Sequence, residues 1–554
     1  MTAPISTTVR APRSGLDLPD LVPAELRRQW SAQGHYPDRG IADLFAERVR
    51  GHPRRPAVVC PGETLDYAEL DRRTGRIATA LRSAGVAPGD VVAIRLPNGW
   101  PAVATELAAA AVGATALTFP AGRGLADTRA LLRRSRAVAL LSTAATAHEI
   151  GPELARLPFL RAVFAIDGTG STVRTDPGPD RPGPTAHEDP PDTVPVDPSA
   201  AARILVSSGS ESEPKMVAYS HNAMAGGRGN YLRAVYRGTE VPRALVLVPL
   251  SSSYGSLGVI TLYRHGGTLL LLDGFDAATA LRAITAHRPT HLFGVATMLR
   301  RMTQLAPESG EDLSSLRSVI ASCDGLPPAL LADCLARFGC PVSNLYGSTD
   351  GLNCRADHRT STELTSVLGQ PDPAVCEFRI HDEQGRPLPA GEPGEIWARG
   401  PMTPLCYVGA PQLDARYRAP GGWVRSGDRG RLTADGRLEL VRRNSNVVKR
   451  GGYSISPAEV ERHAGAHPAV AEAVCLAVPD PDLGERLCVC VVPRQGTAAP
   501  TLAELNHFLE QRRGLERRKL PEQLLRLAEL PLGAAGKLDR NRLTALARSA
   551  PPAR

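Results

Sequence analysis

One short run concentrates the groups that bind phosphate: Ser207-Ser208-Gly209-Ser210-Glu211-Ser212-Glu213-Pro214-Lys215. Backbone amides freed by tight turns, several hydroxyls and one ammonium make a cradle for phosphate oxygens. It is not a P-loop, which carries a second Gly before its Lys and Ser or Thr after it. Here Pro214 precedes Lys215 and Met216 follows. A polar surface loop is the competing reading, and the run alone does not decide between them. The lysines add to it. Of 65 Lys plus Arg residues only Lys215, Lys449, Lys519 and Lys537 are lysine. A compact ammonium and a planar guanidinium are not interchangeable at a tight phosphate or carboxylate site, so a lysine kept in this background marks a place where arginine cannot serve. Lys519, inside Arg517-Arg518-Lys519, reads as ordinary surface charge; the other three sit in Gly- or Pro-flanked loops.

These loops need elements to hold them. Helical spacing starts at Ile41 and again at Leu65, the second helix running to a stop at Gly85. Val91 to Ile94, an Ala-rich helix from Ala102 to Val112 and Ala114 to Leu117 then read as strand, helix, strand. Ile204 to Val206, Ala244 to Val248, Gly267 to Leu272, Thr290 to Val295 and Ser318 to Ala321 are continuous apolar strands, so a parallel α/β sheet is expected, with ligands at the loops after its strands. Asn344 to Asp350 is expected to be one such loop. Residues 167 to 199 read as a flexible Gly-, Pro- and Asp-rich excursion. After Gly369 period-two strands predict a β-rich module, and beyond Asn444 short alternating elements predict a small α+β domain.

At 554 residues the chain needs two or more cores. Hydrophobic residues are 42% and charged residues 22%, with no apolar run near the ~20 residues of a membrane span. Met1 to Asp20 has no apolar segment of a secretory signal, so a cytoplasmic enzyme is expected. The net charge of +8 is spread along the chain and aromatics are 4%, which argues against nucleic acid as a partner. The ten Cys show no ligand spacing, so buried reduced thiols are expected rather than zinc.

From Ile41 to Leu543 the loops, in this order, resemble those of the adenylate-forming superfamily: acyl- and aryl-CoA synthetases, aryl acid-AMP ligases and peptide-synthetase adenylation domains. Ser207 to Lys215 resembles its Thr-Ser-Gly-Thr-Thr-Gly-x-Pro-Lys-Gly loop. Tyr346-Gly347-Ser348-Thr349-Asp350 resembles Tyr-Gly-x-Thr-Glu, and Ser426-Gly427-Asp428 resembles Thr-Gly-Asp. Arg443 to Glu461 is similar to the hinge segment, and Gly536-Lys537 with Arg540 to the C-terminal Gly-Lys-x-x-Arg. The resemblance implies a large α/β AMP-binding domain (41–444) with parallel or mixed sheets, helices and a β-rich module. It also implies a mobile α+β domain (445–545); outside it, residues 1–40, rich in Pro, Arg and Ser at their start, are expected to be a surface extension and residues 546–554 a tail. It implies ATP-dependent activation of a carboxylic acid as acyl-AMP with loss of pyrophosphate. Transfer to coenzyme A or carrier-protein phosphopantetheine follows. The resemblance assigns Lys537, Lys449 and Thr349 to catalysis. It assigns Ser207, Ser208, Gly209, Ser210, Lys215, Ser322, Cys323, Asp324, Tyr346, Gly347, Ser348, Asp428 and Arg443 to ATP or AMP. Asp350 falls to Mg²⁺, Ser445 to the hinge and Gly452 to the thiol channel. Tyr346 is expected to stack on adenine and Asp428 to hold the ribose.

The departures are Glu211, Ser212 and Met216 for Thr, Gly and Gly, Asp350 for Glu, Arg442 for Gly and Ser445 for the hinge Asp. His221, Asn222, Gly227, Arg228, Tyr254, Phe293, Val295 and Gly325 are expected to line the acid pocket. Leu250 to Gly255 lacks both the Asp that holds an α-amine and the His-Asn of dihydroxybenzoate enzymes. An aryl or related acid in bacterial secondary metabolism is the expectation, with the protein a monomer or homodimer. An enzyme that activates another oxyanion or acylates an amine, and a non-catalytic nucleotide-binding protein, are the alternatives.

Overall fold

The continuous apolar runs become buried parallel strands, because a sheet covered by helices on both faces has no polar side. The computed structural model describes residues 15–151, 156–166, 172–174, 194–207, 214–322, 326, 328–359, 367–442, 447–494, 496–531 and 540–550. In one sheet the strands Ser318–Ser322, His291–Gly294, Arg243–Val246, Thr268–Leu271 and Pro56–Cys60 lie side by side and parallel, with Val342–Ser348 next to Ser318–Ser322. A second sheet places Ala139–Ser142, Val91–Arg95, Thr115–Thr118 and Ala201–Ser207 in parallel order. Lys215–Ser220 closes that edge antiparallel.

The period of two shows in where the side chains go. Val92 and Ile94 join the larger core shared with Trp100–Ala111, Leu257–His265 and the first sheet, whereas Val91 and Ala93 face a smaller core with Leu117, Ile204 and Val206. Met216, which stands where the resembled loop has Gly, packs in this smaller core and is fully buried, so it does not crowd the phosphate side.

A β-rich module follows, with Val367–Gly369, Leu438–Arg442, Trp423–Leu432, Gly394–Arg399 and Glu377–His381 in that order. The small C-terminal domain builds its own sheet from Val448–Arg450, Tyr453–Ile455, Gly484–Pro493, Val470–Asp480 and Gln523–Arg526, with its own apolar core. The α/β class with a β-rich module and an α+β C-terminal domain therefore stands. Two local expectations need correction. Leu65 lies in the strand Glu63–Asp66, and the helix starts at Tyr67 because the Asp66 side chain accepts from Glu69 N and caps it. Asn344 to Ser348 is strand, paired antiparallel to Leu352–His358, so only Thr349-Asp350-Gly351 turns. No described helix is long and apolar enough to cross a membrane.

Candidate active site

The carboxyl ends of the parallel strands converge on one cavity of about 1050 Å³. Ser207, Ser322 and Ser348 reach it from their strand ends, and Pro249 and Val295 from the residues just past theirs. Ser207 and Lys215 are directly opposite each other across the antiparallel pair. The register thus fixes both ends of the phosphate-type loop, whose residues Ser208, Gly209, Ser210, Glu211 and Ser212 lie outside the described residues. The Lys215 ammonium is buried and sits 3.8 Å from the Tyr417 ring centroid, a cation–π contact that holds it at the cavity wall.

The turn after Ser348 brings Thr349 and Asp350 to the same cavity. Tyr219 Oη donates to Thr349 O at 2.7 Å, and Tyr407 Oη donates to Asp350 Oδ1 at 2.6 Å. Burial, then the Asp350 charge, drives the Tyr407 phenol well above its ordinary pKa, so it stays a donor. One carboxylate with one oxygen thus engaged suits Mg²⁺, which takes one or two protein carboxylates and completes its shell with phosphates and water. No group of three or more His, Cys, Asp or Glu that could hold a metal occurs among the described residues.

Asp428 also borders the cavity, its amide donating to Ser426 Oγ at 2.9 Å across Gly427, whose φ of +74° favours glycine. Tyr346 is 1% exposed and donates to Asp428 Oδ2 at 2.9 Å. Its neighbours Leu345 and Gly347 border the cavity, and its hydroxyl orients Asp428.

The remaining wall comes from the C-terminal domain. Lys449, Gly451, Gly452 and Tyr453 border the same cavity. The hairpin Val448–Arg450 to Tyr453–Ile455 brings them there, with Lys449 N donating to Glu485 Oε2 at 2.6 Å. Gly452 has φ +84°, and a Cβ there would lie 2.6 Å from Val295 Cγ2.

Several expected pocket residues are elsewhere. The His221 ring accepts from Ile41 N at 3.2 Å and burial lowers its pKa to about 4. Asn222 exchanges hydrogen bonds with Asp38. Both anchor the N-terminal segment instead of lining the cavity. Gly227 is a packing glycine, since a Cβ would stand 2.2 Å from Met402 N. Phe293 packs against Tyr254 and Tyr236, one layer behind the wall. Tyr254, Val295 and Arg228 do line it. Gly347 and Ser322 line it too. Cys323, Asp324, Gly325, Arg443, Ser445 and Lys537 lie outside the described residues. Lys519, expected at the surface, is 5% exposed: its ammonium is 2.6 Å from both Asp127 Oδ2 and Glu459 Oε1. Tyr407, Tyr417 and Ser251 to Ser253 are site residues that sequence reasoning missed; two tyrosines among only 11 were the available signal.

Residues 45–408 match the AMP-binding enzyme family, and residues 459–537 match the AMP-binding enzyme C-terminal domain. The chain belongs to the adenylate-forming superfamily. It is an AMP-forming ligase of that superfamily. The adenylate-forming enzyme is 29% identical over 561 residues to 2-hydroxy-7-methoxy-5-methyl-1-naphthoate–CoA ligase of Streptomyces carzinostaticus, covering 95% of this chain and 96% of that one. The amide bond synthetase McbA of Marinactinospora thermotolerans is similar at 28% identity and a TM-score of 0.81, covering 92% and 99%. O-succinylbenzoate CoA synthetase of Bacillus subtilis, 25% identical, gives 0.78 as a double mutant with its product analogue OSB-NCoA (91% and 98% covered). With AMP the same synthetase gives 0.65, covering 92% and 99%.

Proposed function

We propose that this adenylate-forming enzyme activates an aryl or related acid and passes the acyl group to a thiol, coenzyme A or carrier-protein phosphopantetheine, in bacterial secondary metabolism. The observation that carries this is the shared cavity: Lys449 and Gly452 of the small domain meet Lys215, Thr349 and Asp350 of the large one. An acid carboxylate oxygen attacks the α-phosphorus of ATP, and the bond to the pyrophosphate oxygen breaks. The thiol sulfur then attacks the acyl carbonyl, AMP leaves, and the thiol proton passes to solvent. Positioned charge is what such a reaction needs. Lys215 and Ser207 would hold pyrophosphate, Asp428 would hold the ribose, and Asp350 would hold Mg²⁺, which would neutralise phosphate charge. Lys537 serves the first step. The better fit to the synthetase carrying a CoA-product analogue supports the thiol-transfer arrangement for the described domains. An amine acceptor is the second reading, favoured by the likeness to McbA.

The test is pyrophosphate release by the full chain with ATP, Mg²⁺ and a panel of aryl acids, followed by addition of coenzyme A, a phosphopantetheinylated carrier or an amine. Release that depends on one acid, and AMP formation that depends on a thiol, supports the proposal. Tight ATP binding without release for any acid overturns it. A Lys537→Ala variant that adenylates at the wild-type rate overturns the role given to that lysine.

A further inference from the structure

On the cavity wall made by Ser251 to Ser253 and Tyr254 stands a cation with no counter-ion among the described residues. Arg228 ends the π-helical turn Ala223–Arg228 and borders the cavity, yet is only 3% exposed. Such a turn carries one residue more than an α-helical one, which redirects the side chains that follow, and it recurs at functional sites. Two of its other members, Gly226 and Gly227, are pressed against the backbones of His35 and Met402.

The partners of Arg228 are neutral. One terminal nitrogen donates to Ser253 O and, at 2.8 Å, to Ser256 Oγ. The other reaches Ser253 Oγ at 3.5 Å, the Tyr219 hydroxyl is a further neutral partner, and Nε has none among the described residues. The Tyr219 ring centroid lies 5.6 Å from the guanidinium carbon. Neighbouring Arg203 is matched by Glu106, but Arg228 makes no ion pair among the described residues. Burial, with the Arg203 charge adding to it, pulls Arg228 below its ordinary pKa. A guanidinium taken out of water without a counter-charge is unfavourable, and an oxygen acceptor on a ligand offsets that cost. The same cavity has other cations in Lys215 and Lys449, and the Tyr219 ring that lies beside Arg228 donates its hydroxyl to Thr349 O.

We propose that Arg228 sets the acid specificity by holding a second oxygen substituent of the aryl acid, a phenolic oxygen or a second carboxylate, apart from the carboxylate that is adenylated. This rests on the aryl-acid reading above. The terminal nitrogen 3.5 Å from Ser253 Oγ supplies the donor, and the serines and Tyr254 complete a polar rim around it.

The experiment measures pyrophosphate release by the full chain with benzoate and 1-naphthoate against their hydroxy- and carboxy-substituted forms. The wild type should favour the best oxygenated acid over its parent by at least about 10-fold in kcat/KM, as expected when a buried charged donor is left unpaired by the parent. Arg228→Met should bring that ratio to within about 3-fold. Arg228→Lys, which keeps the charge with fewer and differently placed donors, should give an intermediate ratio. A wild type without preference, or a ratio unchanged in Arg228→Met, overturns the proposal; loss by one common factor for all acids is the second of these. Where Arg228→Met does not melt cooperatively, Arg228→Lys decides, and an unchanged ratio there overturns it. Absence of release with every acid overturns the ligase reading itself, so the two failures are distinct.

Discussion

At the scale of single residues, Gly452 is the sharpest point of contact between the two domains at the cavity. Its positive φ and the 2.6 Å from a Cβ to Val295 Cγ2 mean that even alanine forces a shift. A non-glycine residue held in that region costs about 1–3 kcal/mol. Gly452→Ala should therefore lower the ratio of acyl transfer to pyrophosphate exchange by roughly 10-fold or more, measured with one acid and saturating thiol; an unaltered ratio would remove Gly452 from the transfer step. The sequence showed which residues carry chemistry better than where their neighbours lie. Ser207, Lys215, Thr349, Asp350, Asp428, Lys449 and Gly452 all border one cavity. His221, Asn222, Gly227 and Phe293 were misplaced because closeness along the chain to a site loop says nothing about which way a helix or strand turns its side chains. Tyr407 and Tyr417 escaped because they act from a different segment, some 190 to 200 residues after Lys215, and only the fold brings them to it.

Between elements, the buried triad of Lys519, Asp127 and Glu459 joins the helix Leu125–Arg134 of the large domain to the helix Pro457–Ala464 of the small one. Burial alone would raise the Asp127 pKa, but Lys519 and Arg123 outweigh it and keep the carboxyl below its ordinary value. Beside it the loops meet backbone to backbone, since a Cβ on Gly124 would lie 1.8 Å from Gly514 O. Farther along the interface Arg300 donates to Pro481 O at 2.7 Å. Removing the lysine takes away the cation bonded to Glu459 and leaves Asp127 paired with Arg123 alone, a loss of about 3–5 kcal/mol when a buried pair is broken. That loss falls on the docking of the domains, because each has its own core. Lys519→Met should slow transfer to thiol more than pyrophosphate exchange, and limited proteolysis should cut the interdomain segment faster. Equal slowing of both steps with no change in proteolysis would make Lys519 an ordinary core residue. Sequence reading took this lysine for surface charge because its neighbours Arg517 and Arg518 are charged and both of its partners are distant in the chain. The elements themselves were far more legible. Continuous apolar runs such as Leu245 to Val248 carry their own strand signal, whereas Leu65 was drawn into a helix because its apolar spacing fits both periods.

For the whole molecule, acid should loosen the large domain before its carboxylates titrate. His221 and His291 are buried there and His265 is partly buried, and burial lowers each pKa to about 4. Their rings are committed as neutral groups: His221 Nδ1 accepts from Ile41 N, while His291 meets Thr290 Oγ1 at 2.8 Å and packs on the Tyr236 ring. In the unfolded chain each titrates near its ordinary value of about 6.5. The folded pKa is thus the lower one. Below about 6.5 the unfolded chain takes up protons that the folded one refuses, so the stability these groups contribute is complete above that pH and is lost as pH falls toward 4. At pH 5 the loss is on the order of 2 kcal/mol per group. The melting temperature should therefore fall by roughly 5 °C or more between pH 7 and pH 5. Replacing His221 with Asn keeps an acceptor for the Ile41 amide and removes the titrating ring, so it should flatten that slope by about one-third, three groups sharing it. A melting temperature that is level from pH 7 to pH 5, or a slope that His221→Asn leaves as steep, would show that these imidazoles are not held neutral by the fold.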